Sequence, residues 1–154
     1  MPIRRIAPNL NGDGLRVGIV LSRFNAGIGE GLLAGALRAL KEAGVAEDDI
    51  TLVGVPGALE TPLVLQQLAQ TDDYDALVAL GAVIRGETYH FEIVANESAA
   101  GVSSVALEFG IPIGNGILTC ETDAQAESRM DAKGFEAAQA AVEVANLFAA
   151  LDDD

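Results

Sequence analysis

Four short aliphatic runs, at residues 15–21, 50–55, 75–84 and 111–119, alternate along the chain with longer segments of helical character. No other feature constrains the fold as strongly. Strands that lie parallel in one sheet need a crossover of a dozen or more residues between them, and a helix is the usual crossover. Regular alternation therefore predicts right-handed βαβ units and an α/β fold, a three-layer α/β/α sandwich around a four-stranded parallel sheet covered on both faces. Local signals place the helices. Apolar residues recur at Ile28, Leu32, Leu33, Ala36 and Leu40, one face of a helix running to about Ala43, and Gly44 supplies its stop. Pro62 sits where a first helical turn tolerates a missing N–H. Residues 89–109 read as a long helix, and Thr122-Asp123-Ala124-Gln125 as a capping box that opens helices at 123–131 and 134–150.

A chain of 154 residues with half its side chains apolar is long enough for one self-sufficient core. A single domain over 1–154 is expected, with 1–14 as an N-terminal arm and 152–154 as a frayed acidic tail. The formal charge of −14 argues against nucleic acid and anionic membranes as partners, since both are bound through clustered Lys and Arg. One cysteine, Cys120, and one histidine, His90, provide neither an internal disulfide nor the spacing of a zinc site. No metal or other cofactor is expected. The N-terminal Met1-Pro2-Ile3-Arg4-Arg5 lacks a following apolar stretch, so the expected location is the cytoplasm.

In an open parallel sheet, ligands bind beyond the carboxyl ends of the strands, which directs attention to the loops at 22–27, 56–61, 82–90 and 115–122. Each candidate there carries two readings. Gly29-Glu30-Gly31-Leu32-Leu33-Ala34 formally matches a dinucleotide fingerprint, but Ser22-Arg23-Phe24-Asn25-Ala26 separates it from the strand; close helix packing explains the glycines as well. Phe24 can stack on a planar ligand or pack into a core. Glu60 can bind a polyol or simply complement a helix dipole. His90 is either the chain's one imidazole for proton transfer near neutral pH or a helix-surface residue. Its neighbours Arg85, Gly86, Glu87 and Thr88 favour the first, because exposed N–H groups at a strand-to-helix junction attract phosphate. Arg129 and Lys133, four residues apart, share one helix face if their segment is continuous, and such a pair is either solvated surface or an anion clamp.

At these loops the sequence resembles the lumazine synthase family of riboflavin biosynthesis. Ser22-Arg23-Phe24-Asn25, Val55-Pro56-Gly57-Ala58-Leu59-Glu60, Gly81-Ala82-Val83-Ile84-Arg85-Gly86-Glu87-Thr88-Tyr89-His90 and Lys133-Gly134 carry the resemblance, in order, across nearly the whole chain. It implies a flavodoxin-like sandwich and the condensation of 5-amino-6-(D-ribitylamino)uracil with 3,4-dihydroxy-2-butanone 4-phosphate, without a cofactor. It also implies a homo-oligomer built from pentamers with sites between neighbouring subunits, and riboflavin synthase as a candidate partner. Carried over to this chain, Phe24, Ala82, Val83 and Ile84 hold the pyrimidine, while Ala58, Leu59 and Glu60 meet the pyrimidine and its ribityl chain. Gly86, Glu87 and Thr88 cradle the phosphate, His90 shuttles protons, and Arg129 of the neighbouring subunit, with Lys133, neutralises the phosphate.

Three positions depart from the family pattern. Asn115 stands where many members place an aromatic against the pyrimidine, so polar contact is expected in place of stacking. Glu87 replaces a small residue and is expected to point outward, leaving backbone N–H groups to bind the anion. Arg129 and Lys133 lie closer together than in shell-forming members, which leaves pentamer, paired pentamers and shell all open. Two other functions fit the same fold: a flavodoxin-like nucleotide or flavin carrier, which has no need of His90, and an inactive structural oligomer.

Overall fold

The computed structural model describes residues 2–153 and contains four strands and four long helices in strict alternation. These are β1 (Val17–Ser22), α1 (Ala26–Ala43), β2 (Ile50–Val55), α2 (Thr61–Gln70), β3 (Ala76–Ile84), α3 (His90–Phe109), β4 (Ile113–Cys120) and α4 (Asp123–Asp152). The sheet is wholly parallel in the order β2-β1-β3-β4. Side chains alternate across it. Val17, Ile19, Val78 and Leu80 join a core with α1 and α4, whereas Val20, Leu77, Ala79 and Ile117 join a second core with α2 and α3. The expected α/β/α sandwich follows from that partition.

The chain leaves β1 toward β2 on one side and returns to β3 on the other, so the loops after β1 and β3 diverge and open a crevice at their carboxyl ends. Asn25 bridges it. That residue has a left-handed backbone (φ 60°), which Asn tolerates better than most side chains, and its Nδ2 donates to the Ala82 carbonyl across 3.1 Å.

Two sequence expectations are corrected. The helices expected at 123–131 and 134–150 are one continuous α4, and Gly134 is buried in its interior. It serves approach, not termination. A Cβ there would lie 1.9 Å from the Leu32 carbonyl of α1, and one at Gly35 would lie 2.2 Å from the Asp131 carbonyl of α4. Gly31 and Gly35 of α1 thus serve the crossing with α4, while Gly29 lies against Leu21 and Ser22 of β1; at the crossing Arg38 also grips Asp131 with two hydrogen bonds of 2.6 and 3.0 Å. Gly134→Ala is expected to cost about 1–3 kcal/mol through overpacking, read from denaturant midpoints. A loss near that of an ordinary exposed-helix substitution would contradict this packing role.

The second correction concerns cover. β1 and β3 are buried on both faces, but Thr51, Leu52 and Gly54 of β2 are exposed, Leu52 by half. The aliphatic run at the sheet edge is left uncovered by this chain. At the tail, Asp152 is the last helical residue, Asp153 follows it, and Asp154 lies outside the described residues. The arm's expected range begins with Met1, also outside them; farther along, the Asn9 and Asn11 carbonyls accept from Asn146 Nδ2 at 2.7 and 2.9 Å. Among the described residues no helix is long and apolar enough to cross a membrane.

Candidate active site

Three of the four strand-end loops converge on one cavity of about 370 Å³. Phe24 and Asn25 come from the loop after β1, and Pro56 through Glu60 from the loop after β2. Ala82, Val83, Ile84, Gly86 and Thr88 come from the end of β3 and the loop beyond it, and His90, Phe91 and Val94 from the first turns of α3. Backbone bonds fix these loops in place: Arg23 N–H donates to the Val55 carbonyl at 2.8 Å, and Glu60 N–H to the Gly57 carbonyl at 3.2 Å. Phe24, 71% exposed, stands at the mouth as an available stacking surface. His90 is also exposed, at the start of α3. Tyr89 precedes it without a side-chain cap; the Glu92 N–H donates to the Tyr89 carbonyl at 3.0 Å, which leaves the N–H groups of His90 and Phe91 to meet an anion.

The lining is mostly apolar, with a carboxylate at Glu60 and an imidazole at His90, and it includes neither Lys nor Arg. Glu87 is exposed and outside the lining. Asn115 is likewise elsewhere, on the outer strand β4, where its Oδ1 accepts from Ile117 N–H at 2.9 Å. Arg129 and Lys133 share a face of the unbroken α4 and line a second hollow of about 560 Å³ together with residues 117–120 of β4. One chain does not bring these two cations to its own His90 cavity. Around the start of α4, the Thr122 hydroxyl accepts from Gln125 N–H at 3.2 Å, while Gln125 Oε1 accepts from Glu121 N–H, one residue before the cap. The capping box therefore forms with its return arm shifted by one position. Its first turn also steers Arg129, whose Nη1 donates to the Gln125 carbonyl at 2.9 Å.

Arg85, read from the sequence as a neighbour of His90 at the strand-to-helix junction, turns its side chain to two carboxylates. Its guanidinium is held by Glu92 and Glu121. The hydrogen bond from Arg85 is the chief reason that the Glu92 carboxyl sits below its ordinary value, and the Glu92 and Glu121 bonds raise Arg85 in turn. A carboxyl lowered on folding stabilises the fold fully above its unfolded pKa, about 4.3 for Glu, and loses that contribution as pH falls through the lower, folded value. The stability advantage of the native chain over Glu92→Gln is therefore expected to shrink below about pH 4 in urea titrations. A difference constant from pH 7 to pH 3 would contradict it.

Sequence reasoning missed Asn25, Pro56, Gly57, Phe91 and Val94 as lining residues. Asn25, Pro56 and Gly57 lay within motifs already singled out, and Phe91 and Val94 follow His90 by one and four residues, so the first turns of α3 carried a usable signal.

A family model described as 6,7-dimethyl-8-ribityllumazine synthase matches residues 14–149, which include β1, β2, β3, β4 and all but the last turn of α4. The chain belongs to the lumazine synthase family. It is 59% identical over 149 residues to the 6,7-dimethyl-8-ribityllumazine synthase of Methylobacillus flagellatus, covering 97% of this chain and 100% of that protein. The enzymes of the same name from Burkholderia multivorans and Paraburkholderia phymatum are 58% and 57% identical over 152 residues, covering 99% of this chain and 88% of each relative. Both hollows fall inside the matched span.

Proposed function

We propose that this lumazine synthase makes 6,7-dimethyl-8-ribityllumazine from 5-amino-6-(D-ribitylamino)uracil and 3,4-dihydroxy-2-butanone 4-phosphate in the cavity at the carboxyl ends of β1, β2 and β3. The observation that carries the reading is the convergence of three loops on one cavity with the chain's single histidine at its rim. Phe24 stacks on the pyrimidine, the strand-end residues Ala82, Val83 and Ile84 hold its edge, and Ala58, Leu59 and Glu60 meet the ribityl chain. Gly86 and Thr88 receive the phosphate, assisted by the open N–H groups of α3. Glu87 lies beside them with its carboxylate in solvent.

The substrate amine adds to the ketone, water leaves as an imine forms, phosphate is eliminated, and ring closure expels a second water. Every step moves a proton, and His90 is the lining imidazole, with a donor and an acceptor nitrogen on one ring. Holding both reactants in one cavity supplies much of the remaining acceleration.

A phosphate dianion in a lining without Lys or Arg needs a cation from elsewhere. Arg129 and Lys133 of a neighbouring subunit supply it in this reading, with Asn115 of the same neighbour approaching the pyrimidine. The uncovered Leu52 of β2 and the exposed Leu63 and Ile93 support burial against another copy. The assembly we propose is built from pentamers and works in the cytoplasm, and riboflavin synthase, which consumes the product, is its proposed partner. Mixing the purified protein with both substrates and following lumazine absorbance tests the reaction. Formation well above the spontaneous condensation is expected; a rate equal to that background would overturn it.

A further inference from the structure

Arg85 is the first residue after β3 and the entrance to the loop that carries His90. Its backbone N–H donates to the Cys120 carbonyl at 2.9 Å, extending the β3–β4 ladder by one step. Beyond the backbone, the guanidinium reaches three other places. Nε donates to Glu121 Oε2 at 2.5 Å, Nη1 donates to Glu92 Oε1, and the guanidinium carbon lies 4.5 Å from the centre of the Phe91 ring. Phe91 lines the cavity, and Phe91 and Glu92 directly follow His90 in the first turn of α3.

We infer that Arg85 is a positioning residue, an external clamp that sets the first turn of α3, and with it His90, the Phe91 wall and the phosphate-receiving N–H groups, against the loop before α4. Four considerations lead there. The turn lacks a side-chain cap at Tyr89, so its placement depends on contacts from outside the helix. A guanidinium fork shared between two carboxylates and a ring face fixes direction in a way a single ammonium cannot. The fork is 40% exposed, where ion pairs add little to global stability, so its main consequence is local geometry. Finally, two carboxylates offset its one charge, so it is not the counter-cation of the phosphate.

The inference rests on the lumazine synthase reading above, and its test separates the two. Hydrogen–deuterium exchange of the assembled protein is compared for native chain, Arg85→Gln, Arg85→Lys and Glu121→Gln, alongside steady-state kinetics. In Arg85→Gln, amides 86–92 are expected to exchange roughly tenfold faster while those of β1 keep their rates. KM for the butanone phosphate should rise roughly tenfold and kcat fall several-fold, with KM for the pyrimidine amine within about twofold. Arg85→Lys keeps the charge but loses the fork and should fall between native and Gln. Glu121→Gln removes one arm without touching the cavity and should show the same selective pattern, weaker, which keeps the test informative if Arg85→Gln fails to assemble. Unchanged exchange at 86–92, or faster exchange with both KM values shifted equally, would overturn the clamp. A native chain with no activity above background would instead overturn the reaction. The clamp is then judged by inorganic phosphate, which should slow exchange at 86–90 in the native chain and not in Arg85→Gln; equal slowing in both would refute it.

Discussion

His90→Ala is expected to lower kcat by about a hundredfold or more and to leave KM for both substrates within about twofold. The asymmetry follows from the cavity. Binding surface comes from Phe24, Leu59 and the apolar floor of Ala82 and Val83, none of which depends on the imidazole. Proton transfer depends on it heavily, because the other ionisable side chain of the lining, Glu60, sits on the loop after β2, where this reading places the ribityl chain. A side chain at the solvent-exposed start of a helix is also a mild site for truncation, so the variant should fold. Steady-state kinetics on both substrates decides it. A fall in kcat/KM carried entirely by KM would assign His90 to binding, and an unchanged kcat would remove it from the chemistry.

Arg129→Ala is expected to raise KM for the butanone phosphate by about ten- to a hundredfold, the range corresponding to one lost charge-assisted hydrogen bond, while KM for the pyrimidine amine stays nearly constant. The selectivity is what identifies a phosphate ligand. The guanidinium stands on α4, turned by the Gln125 carbonyl and close to Ser128, and it has no part in the cavity of its own chain. Lys133→Ala should act in the same direction with smaller effect, since an ammonium meets the dianion as a point charge without the guanidinium's paired donors. Raising ionic strength should erode the native advantage over Arg129→Ala, because salt screens a partly exposed pair. An equal rise in both KM values would indicate a structural defect in α4.

The sandwich was legible because β1 and β3 are buried on both faces, so hydrophobicity alone marked them, and because glycine and capping signals lie within a few residues of the helix ends they control. Gly134 shows where such local rules stop. It stands at the break expected between two helices, yet the helix runs through it, and its missing side chain makes room for the backbone of Leu32, on another helix and far away in sequence. The uncovered face of β2 was equally hidden: an aliphatic run reads as buried whether its cover is in the same chain or not. Within the site, three loops were readable as neighbours because parallel topology puts strand ends together. The side-chain partners of Arg85, Glu92 and Glu121, were not legible because they lie 7 and 36 residues away, beyond the reach of a motif. Asn115 was nominated by resemblance and Arg129 with Lys133 by spacing as well, and the single chain puts all three on the β4 and α4 side, apart from the cavity.

The central claim is that each site joins the strand-end cavity of one chain to α4 of another, and co-expressing His90→Ala with Arg129→Ala chains tests it most directly. Neither variant has an intact site alone, but in randomly mixed rings a cavity with native His90 meets a neighbour with native Arg129 at about a quarter of the interfaces. With the butanone phosphate held well below its native KM, where Arg129→Ala alone is slow, the co-expressed assembly should therefore recover about a quarter of the native rate of lumazine formation. Activity no greater than the average of the two separate variants would contradict the shared site.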